Sequence, residues 1–287
     1  MVRFTADEEV TNCGVLINNW FVPAYLQKDG SWVCLYPYPY AMTPQDYKNS
    51  VQITATDLAG NKTTSHLTVL AYDRRFRNDK LTISDSFLQQ VQSKLGNLAP
   101  NAPDPLQCYL TINTQVRAQN IAKLQTLSHE SASAMLFDGV FIHMPRAATR
   151  ANFADHRTLI YQNQVVGEAY HLGIDLASVR NAEIPAANSG KVVFTGDMGV
   201  YGNLCLIDHG LGLFSLYAHM NDFTVKPGDL VKKGDLIGHT DSTGLAFGDH
   251  LHFGIIVGGL EVTPIEWLDP KWVRNIVNNI NGTVPAR

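Results

Sequence analysis

Apolar and polar positions alternate with a period of two at both ends of this chain and with a period near 3.6 in its middle. Val51-Gln52-Ile53-Thr54-Ala55 alternates, breaks at Asp57-Leu58-Ala59-Gly60-Asn61 and resumes at His66-Leu67-Thr68-Val69-Leu70. A turn rich in Gly, Asn and Asp between two such runs predicts a hairpin. Further strands are expected at 14–17 and 32–36, giving four or five over residues 1–72. From about residue 73 the period lengthens. Ser84 is suited to an N-cap, Phe87, Leu88, Val91 and Leu95 share one helical face, and Gly96 stops the helix. The proline-rich stretch from Asn97 to Pro105 cannot continue it, and a second helix is expected over 114–128 with Ile121, Leu124 and Leu127 on its apolar side. From about Gly139 short strands return, at 190–194, 203–208, 213–219, 235–238 and 250–257, with glycines between them. Short, evenly spaced strands of this kind predict an all-β barrel or sandwich.

The chain therefore reads as mainly β, in three parts. Residues 1–72 form a β module, 73–138 a helical region, 139–275 a second β domain and 276–287 a tail. The stretch Thr-Ala-Thr-Asp-Leu-Ala-Gly-Asn resembles the last hairpin of bacterial immunoglobulin-like domains. Such sandwiches hold about seven strands, so the first module reads as an incomplete one, a spacer or packing unit. Tyr36, Tyr38 and Tyr40, set between prolines, read as a loop packed on the neighbouring domain, and the helical region as the piece that docks the first module onto the last.

Composition changes this picture little. Hydrophobic content of 45% and charged content of 17% describe an ordinary folded chain rather than a disordered one. No apolar run is long enough to span a membrane. Met1 to Glu9 lack the apolar core of a secretory signal, so the protein is either not exported or has its leader and anchor outside these residues. Charge is more telling. Residues 1–150 hold 13 Lys/Arg against 12 Asp/Glu, whereas 151–287 hold 9 against 14. An acidic C-terminal half argues against nucleic acid as a partner. Cys13, Cys34, Cys108 and Cys205 are too few and scattered for a disulfide scaffold. Cys13 and Cys34 are the pair that an oxidising compartment would join, and Cys205 reads as a buried small hydrophobe.

The chemistry centres on Gly248-Asp249-His250-Leu251-His252-Phe253-Gly254. In a strand alternate side chains share a face, so His250 and His252 point one way while Leu251 turns into the core. Upstream, His171 and Asp175 flank Gly173. Fully extended, their Cα atoms would lie roughly 13 Å apart, and a bend at Gly173 brings both to one ion. His219 closes the strand segment Tyr217-Ala218-His219.

This set resembles the lysostaphin-type (LytM-type) zinc metallopeptidases, whose pattern is His-x-x-x-Asp, a later His and a final His-x-His. The flanks agree: Tyr201-Gly202-Asn203, Asp208-His209-Gly210, Val231-Lys232-Lys233-Gly234 and Ser242-Thr243-Gly244. The likeness covers residues 139–272 or so. It implies the antiparallel barrel or sandwich of that family, one zinc ion held by His171, Asp175 and His252, and a fourth position for the water that attacks the peptide. His219 and His250 would stand beside the metal and divide proton removal and oxyanion binding between them. Tyr201, Asn203, Tyr217, Thr243 and Phe247 are the implied substrate contacts. The implied partner is a peptidoglycan peptide in the periplasm or cell envelope, with no nucleic acid and no membrane segment. The alternative is a non-catalytic regulator that activates a cell-wall amidase through the same fold, as relatives that have lost zinc ligands do. A lipoyl-type swinging domain fails because Lys232-Lys233 lacks the context of a modified lysine.

Other histidines read as structural: His209 in a family turn, His239 in another, and His66, His129 and His143 outside the motif. Asp155, His156 or Glu168 could instead fold over the metal. Two departures stand out. Asp241 replaces a common glycine, which would strain a backbone of positive φ, and the bulky Phe247 replaces a small residue and lines or narrows the groove.

Overall fold

The computed structural model describes residues 1–282; the end of the expected C-terminal tail lies outside them. The first module holds more strands than the four or five expected. β1 (Val2–Phe4), β4 (Tyr25–Leu26) and β5 (Trp32–Cys34) make a sheet in the order β1-β5-β4 after β2 (Val10–Ile17) and β3 (Trp20–Pro23) have entered a second. That second sheet runs β3-β2-β6-β7; β6 (Val51–Asp57) and β7 (Lys62–His66) form a hairpin about the expected turn, but its second strand ends at His66, where the sequence pattern placed its start. The extra strands are two or three residues long, too short to show a period. A helix α1 (Pro44–Ser50) starts where the Thr43 hydroxyl accepts the Asp46 N–H. The four cysteines are free and buried, Cys13 and Cys34 among them.

The middle region is not purely helical. β8 (Asn78–Thr82) pairs in parallel with β10 (Asp155–Tyr161), which pairs antiparallel with β11 (Gln164–His171). Parallel neighbours need a long crossover, and the helices supply it. α2 (Asp85–Leu95) begins at the expected cap, Ser84 accepting the Phe87 N–H. α3 (Pro105–Thr111), one π turn at Ile112–Val116 and α4 (Arg117–Leu127) follow as one run.

The large sheet takes β9 (Ala148–Ala151), β12 (Ile174–Ala177), β14 (Gly190–Asp197), β15 (Asn203–Asp208), β16 (Leu213–Phe223), β17 (Leu230–Val231) and β19 (Leu251–Val257). Their order is β17-β14-β15-β16-β19-β12-β9; β13 (Glu183–Pro185), β18 (Leu236–Thr240) and β20 (Leu260–Val262) join from the sides. Each face of this sheet feeds a separate core. On one face Leu251, Phe253, Ile255 and Tyr217 pack with Trp267 and with Val273 of α5 (Pro270–Ile280). On the other, Leu204, Leu206, Phe214, Leu216 and Ala218 pack against Val91, Ile112 and Leu124 of the helices. Fully burying a side chain of this size contributes about 1.5–3 kcal/mol, so the helices are held to the sheet by its own apolar face.

This corrects the role expected of the helical region. The first module docks directly: the Trp20 indole donates to Gly258 O at 2.8 Å, and Val33 and Leu35 enter the core on the α5 side. The helices instead cover the opposite face. The tyrosine loop packs as expected, Tyr38 stacking on Tyr47 and Tyr40 meeting Phe153 and Tyr170.

Candidate metal centre

The register of three neighbouring strands assembles the site. β19 lies between β12 and β16, with Asp175 opposite His252 on one side and Ala218 opposite it on the other. Directly opposed residues have Cβ atoms about 5 Å apart, so Asp175 and His252 meet without any contribution from loops. His171 ends β11, the chain bends at Leu172-Gly173, and β12 begins at Ile174. Gly173 is required for space rather than for unusual dihedrals. A Cβ there would lie 2.6 Å from His252 Nε2 and 2.7 Å from Phe253 O, closer than atoms approach.

His171 Nε2, Asp175 Oδ1 and His252 Nδ1 converge. The separations are 2.9 Å from His171 to Asp175, 2.9 Å from His171 to His252 and 3.0 Å from His252 to Asp175. Among the described residues this is the one group of three His, Cys, Asp or Glu side chains whose ligand atoms lie so close. Protonation decides what the triangle wants. Asn152 O lies 2.9 Å from His171 Nδ1 and takes the single N–H of a neutral imidazole, which leaves a lone pair on Nε2. Burial raises the Asp175 carboxyl, but the two imidazoles beside it more than offset that and hold it well below the usual carboxylate range. Burial lowers His252 to about 4, so its ring is neutral at pH 7. Two imidazole nitrogens and an anionic oxygen this close together suit a divalent cation. The buried His252 Nε2 has no hydrogen-bond partner among the described residues, so the ring's polar contacts within the protein all lie on the Nδ1 side, at the triangle. Two imidazoles and a carboxylate, with a further position free, are the donor set of a catalytic zinc site.

His219 and His250 stand beside this triangle, their ring centroids 4.9 Å apart, and His219 lies 5.9 Å from the ring of His252. Thr243 O lies 2.7 Å from His219 Nδ1, and Gly248 O lies 2.7 Å from His250 Nδ1. Each carbonyl accepts the ring N–H, leaving Nε2 basic on both rings; that of His250 is 3.6 Å from Asp175 Oδ1. Burial, with His252 and His250 nearby, pushes His219 well below the usual imidazole range. His219 also has φ +61°, a conformation that costs a non-glycine residue about 1–3 kcal/mol and gathers at functional sites.

That dihedral explains the fate of Tyr217. In a regular strand Tyr217 and His219 would share a face, as the sequence suggests. The left-handed turn at His219 breaks the alternation. Tyr217 falls into the core beside Phe253, and its hydroxyl accepts the Ala187 N–H at 2.7 Å. Of the other expected substrate contacts, Tyr201 and Phe247 line the cavity at the triangle. Asn203 and Thr243 do not: Thr243 Oγ1 accepts the Asn203 N–H and donates to Met220 O, which fixes the carbonyl that holds His219. Phe247 packs against Phe87 of α2, and Lys94 of the same helix donates to Ser242 O and Ala246 O. Asp241 is not among the residues of positive φ, so it carries no strain.

Asp155, His156 and Glu168 do not fold over the triangle. His156 lies 2.9 Å from both Glu168 and Asn78, and Asp155 accepts the Asn152 N–H. His209, lowered to about 4 by burial, sits between Ser189 O and Ser215, and His239 pairs with Asp222. Sequence reasoning missed Asn152, whose carbonyl sets the tautomer of His171. It also missed Arg117 and Arg157, which line the same cavity of about 240 Å³. No local signal marks any of the three.

Residues 169–264 match the model of Peptidase family M23. The chain carries an M23 (LytM-type) peptidase domain. Over 95 residues it is 38% identical to the DD-carboxypeptidase/endopeptidase Mpg of Neisseria meningitidis, a stretch covering 33% of this chain and 22% of that protein. Over 113 residues it is 34% identical to the murein hydrolase activator NlpD of Salmonella dublin, covering 39% of this chain and 30% of that one. The M23 match thus spans less than a third of the length of either relative. A crystal structure from Pseudomonas aeruginosa that bears the M23 designation superposes with a TM-score of 0.57 at 16% identity, over 93% of this chain and 92% of that one. The two chains share a fold along nearly their whole length.

Proposed function

We propose that this protein is a zinc-dependent endopeptidase that hydrolyses peptide cross-links or stem peptides of bacterial peptidoglycan in the cell envelope. The observation that carries this reading is the convergence of His171 Nε2, Asp175 Oδ1 and His252 Nδ1 within 2.9–3.0 Å of one another, with two further imidazoles at hand. In this reading the three side chains hold one zinc ion. Zinc supplies Lewis acidity and, in sites of this type, lowers the pKa of water to about 7.

The remaining work falls to the protein. Thr243 O and Gly248 O accept the Nδ1 protons of His219 and His250, which leaves the Nε2 atoms for proton transfer. One accepts the proton of the attacking water as general base. Once protonated, it can donate that Nε2–H to the oxyanion before passing the proton to the leaving amine. Tyr201 and Phe247 wall the cavity, and the edges of glycine-rich loops suit an extended, unbranched peptide rather than a glycan.

A regulatory reading draws on the similarity to a murein hydrolase activator. The complete ligand set and both assisting histidines weigh against it, because a pure regulator needs neither. The deciding experiment is zinc stoichiometry by atomic spectroscopy together with digestion of purified muropeptides. One zinc per chain and metal-dependent cleavage are expected. Stoichiometric zinc without cleavage, alongside stimulation of an amidase, would favour the regulator.

A further inference from the structure

Two guanidinium groups stand in the metal cavity, and the hydrolysis described above gives neither a task. Arg117 begins α4 directly after the π turn, and Arg157 lies on β10 opposite Ala169. Both line the cavity with His171, His219, His250 and His252, and both are half-buried. Among the described residues neither belongs to an ion pair. Guanidinium remains charged at any working pH, and a charge withdrawn from water normally takes a counter-ion. The one carboxylate lining this cavity is Asp175, which two imidazoles already occupy.

Arg117 is held in place. Its Nε donates to Asn113 O at 3.3 Å and its Nη2 donates to Asn113 Oδ1 at 3.2 Å. Asn113 is itself buried, and its Nδ2 donates to Glu168 O at 3.1 Å. An asparagine in the π turn therefore ties this arginine to the strand that ends in His171, and π turns gather at functional sites. Arg117 keeps donors beyond those two bonds, since guanidinium has five N–H groups in a planar fork suited to a carboxylate. The setting sharpens the contrast: a chain of net charge −4 brings two guanidinium groups to one cavity, and the buried Glu261 that Arg117 also feels is already bonded to Tyr201. Both lie outside residues 169–264, on elements that this chain packs against its M23 domain.

Resting on the reading of this cavity as a peptidase groove, we propose that Arg117 and Arg157 form a carboxylate-binding subsite that selects peptides with a free carboxylate close to the scissile bond. The carboxylate belongs either to an acidic side chain of the peptide or to its C-terminus.

Calorimetric titration of the full chain tests this with a synthetic stem tetrapeptide, L-Ala-γ-D-Glu-diaminopimelate-D-Ala, as free acid, as each of the three single amides (D-Glu, diaminopimelate side chain, C-terminus) and as full amide. The wild type is expected to bind the free acid roughly ten- to a hundredfold tighter than the full amide, the factor a charge-assisted hydrogen bond makes. Whichever single amidation reproduces the loss identifies the source. Arg117→Gln and Arg157→Gln are each expected to erase most of that discrimination, and Arg117→Lys to keep part of it. Zinc content and thermal midpoint, measured on each variant, verify that the fold and metal centre survive. Equal binding of acid and full amide by the wild type, no binding of the acid at millimolar concentration, or variants that still discriminate would overturn the subsite. Cleavage of sacculi by the wild type is scored separately. Discrimination in binding without cleavage would remove the hydrolase and leave the subsite, whereas cleavage without discrimination would do the reverse.

Discussion

The cavity has two walls of different origin. One is built by β12, β19 and β16, where strand register alone sets Asp175 against His252 and Ala218 beside it. The other comes from α4 and β10, which bring Arg117 and Arg157 from far along the chain, with Phe87 of α2 packed behind it on Phe247. The first wall carries groups that must keep their spacing to within fractions of an ångström, and it is made of hydrogen-bonded ladders. The second carries groups that read a substrate, and it is held by apolar packing and a few polar ties. Chemistry sits on the sheet, and selection sits on what covers it.

Breaking the sheet wall should cost most. His252→Ala is expected to lose zinc and muropeptide cleavage together, with turnover down by more than about a thousandfold; zinc analysis beside chromatographic digestion assays checks both losses in one preparation. His219→Ala should separate them, retaining zinc while turnover falls by roughly a hundred- to ten-thousandfold, the range for a lost general acid or base. If its cleavage rate matched the wild type, the task given to His219 here would be wrong. Gly173→Ala should weaken the centre less directly. Its Cβ meets His252 Nε2 at 2.6 Å, and overpacking of this kind costs about 1–3 kcal/mol. A lowered melting temperature together with weaker zinc retention against a chelator is the expected pair of results, and an unchanged protein would show that β12 can shift.

An effect on stability alone, spread over pH, concerns the groups behind the ring of His252. Tyr201 donates to Glu261 at 2.7 Å and faces His252 at 5.8 Å. Burial raises Glu261 to about 7, although the Tyr201 bond and Arg117 pull the other way. A carboxyl raised on folding stabilises fully below its unfolded value and loses that contribution as pH rises through its folded one. Stability from Glu261 should therefore fall between about pH 4.5 and 7 and level off above, by up to about 3 kcal/mol. Glu261→Gln should flatten that part of the melting-temperature profile relative to the wild type. Parallel profiles would show that Glu261 keeps an ordinary pKa.

Legibility in the sequence followed these same two walls. The His-x-His strand, the His171–Asp175 spacing with its bend and the capped helix at Ser84 were readable because each is a local pattern with a period or a punctuating residue. The turn before Lys62–His66 was readable for the same reason, but that strand itself was not, because its five exposed residues show no apolar alternation. Tyr217 was misread because a left-handed residue at 219 reverses the face on which it sits, and a histidine gives no warning of positive φ. The short strands β1, β4 and β8 escaped because two to five residues show no period. Asn152, Arg117 and Arg157 escaped because each acts through a partner distant in sequence.

What the chain determined by itself is a set of donor types at fixed spacing on strands, because alternation along a strand follows from backbone geometry alone. Which side of the sheet the helices would cover, and which charges they would carry into the cavity, was decided only on folding. Two apolar faces compete for the same helices, and the choice depends on how whole surfaces fit together rather than on any one residue.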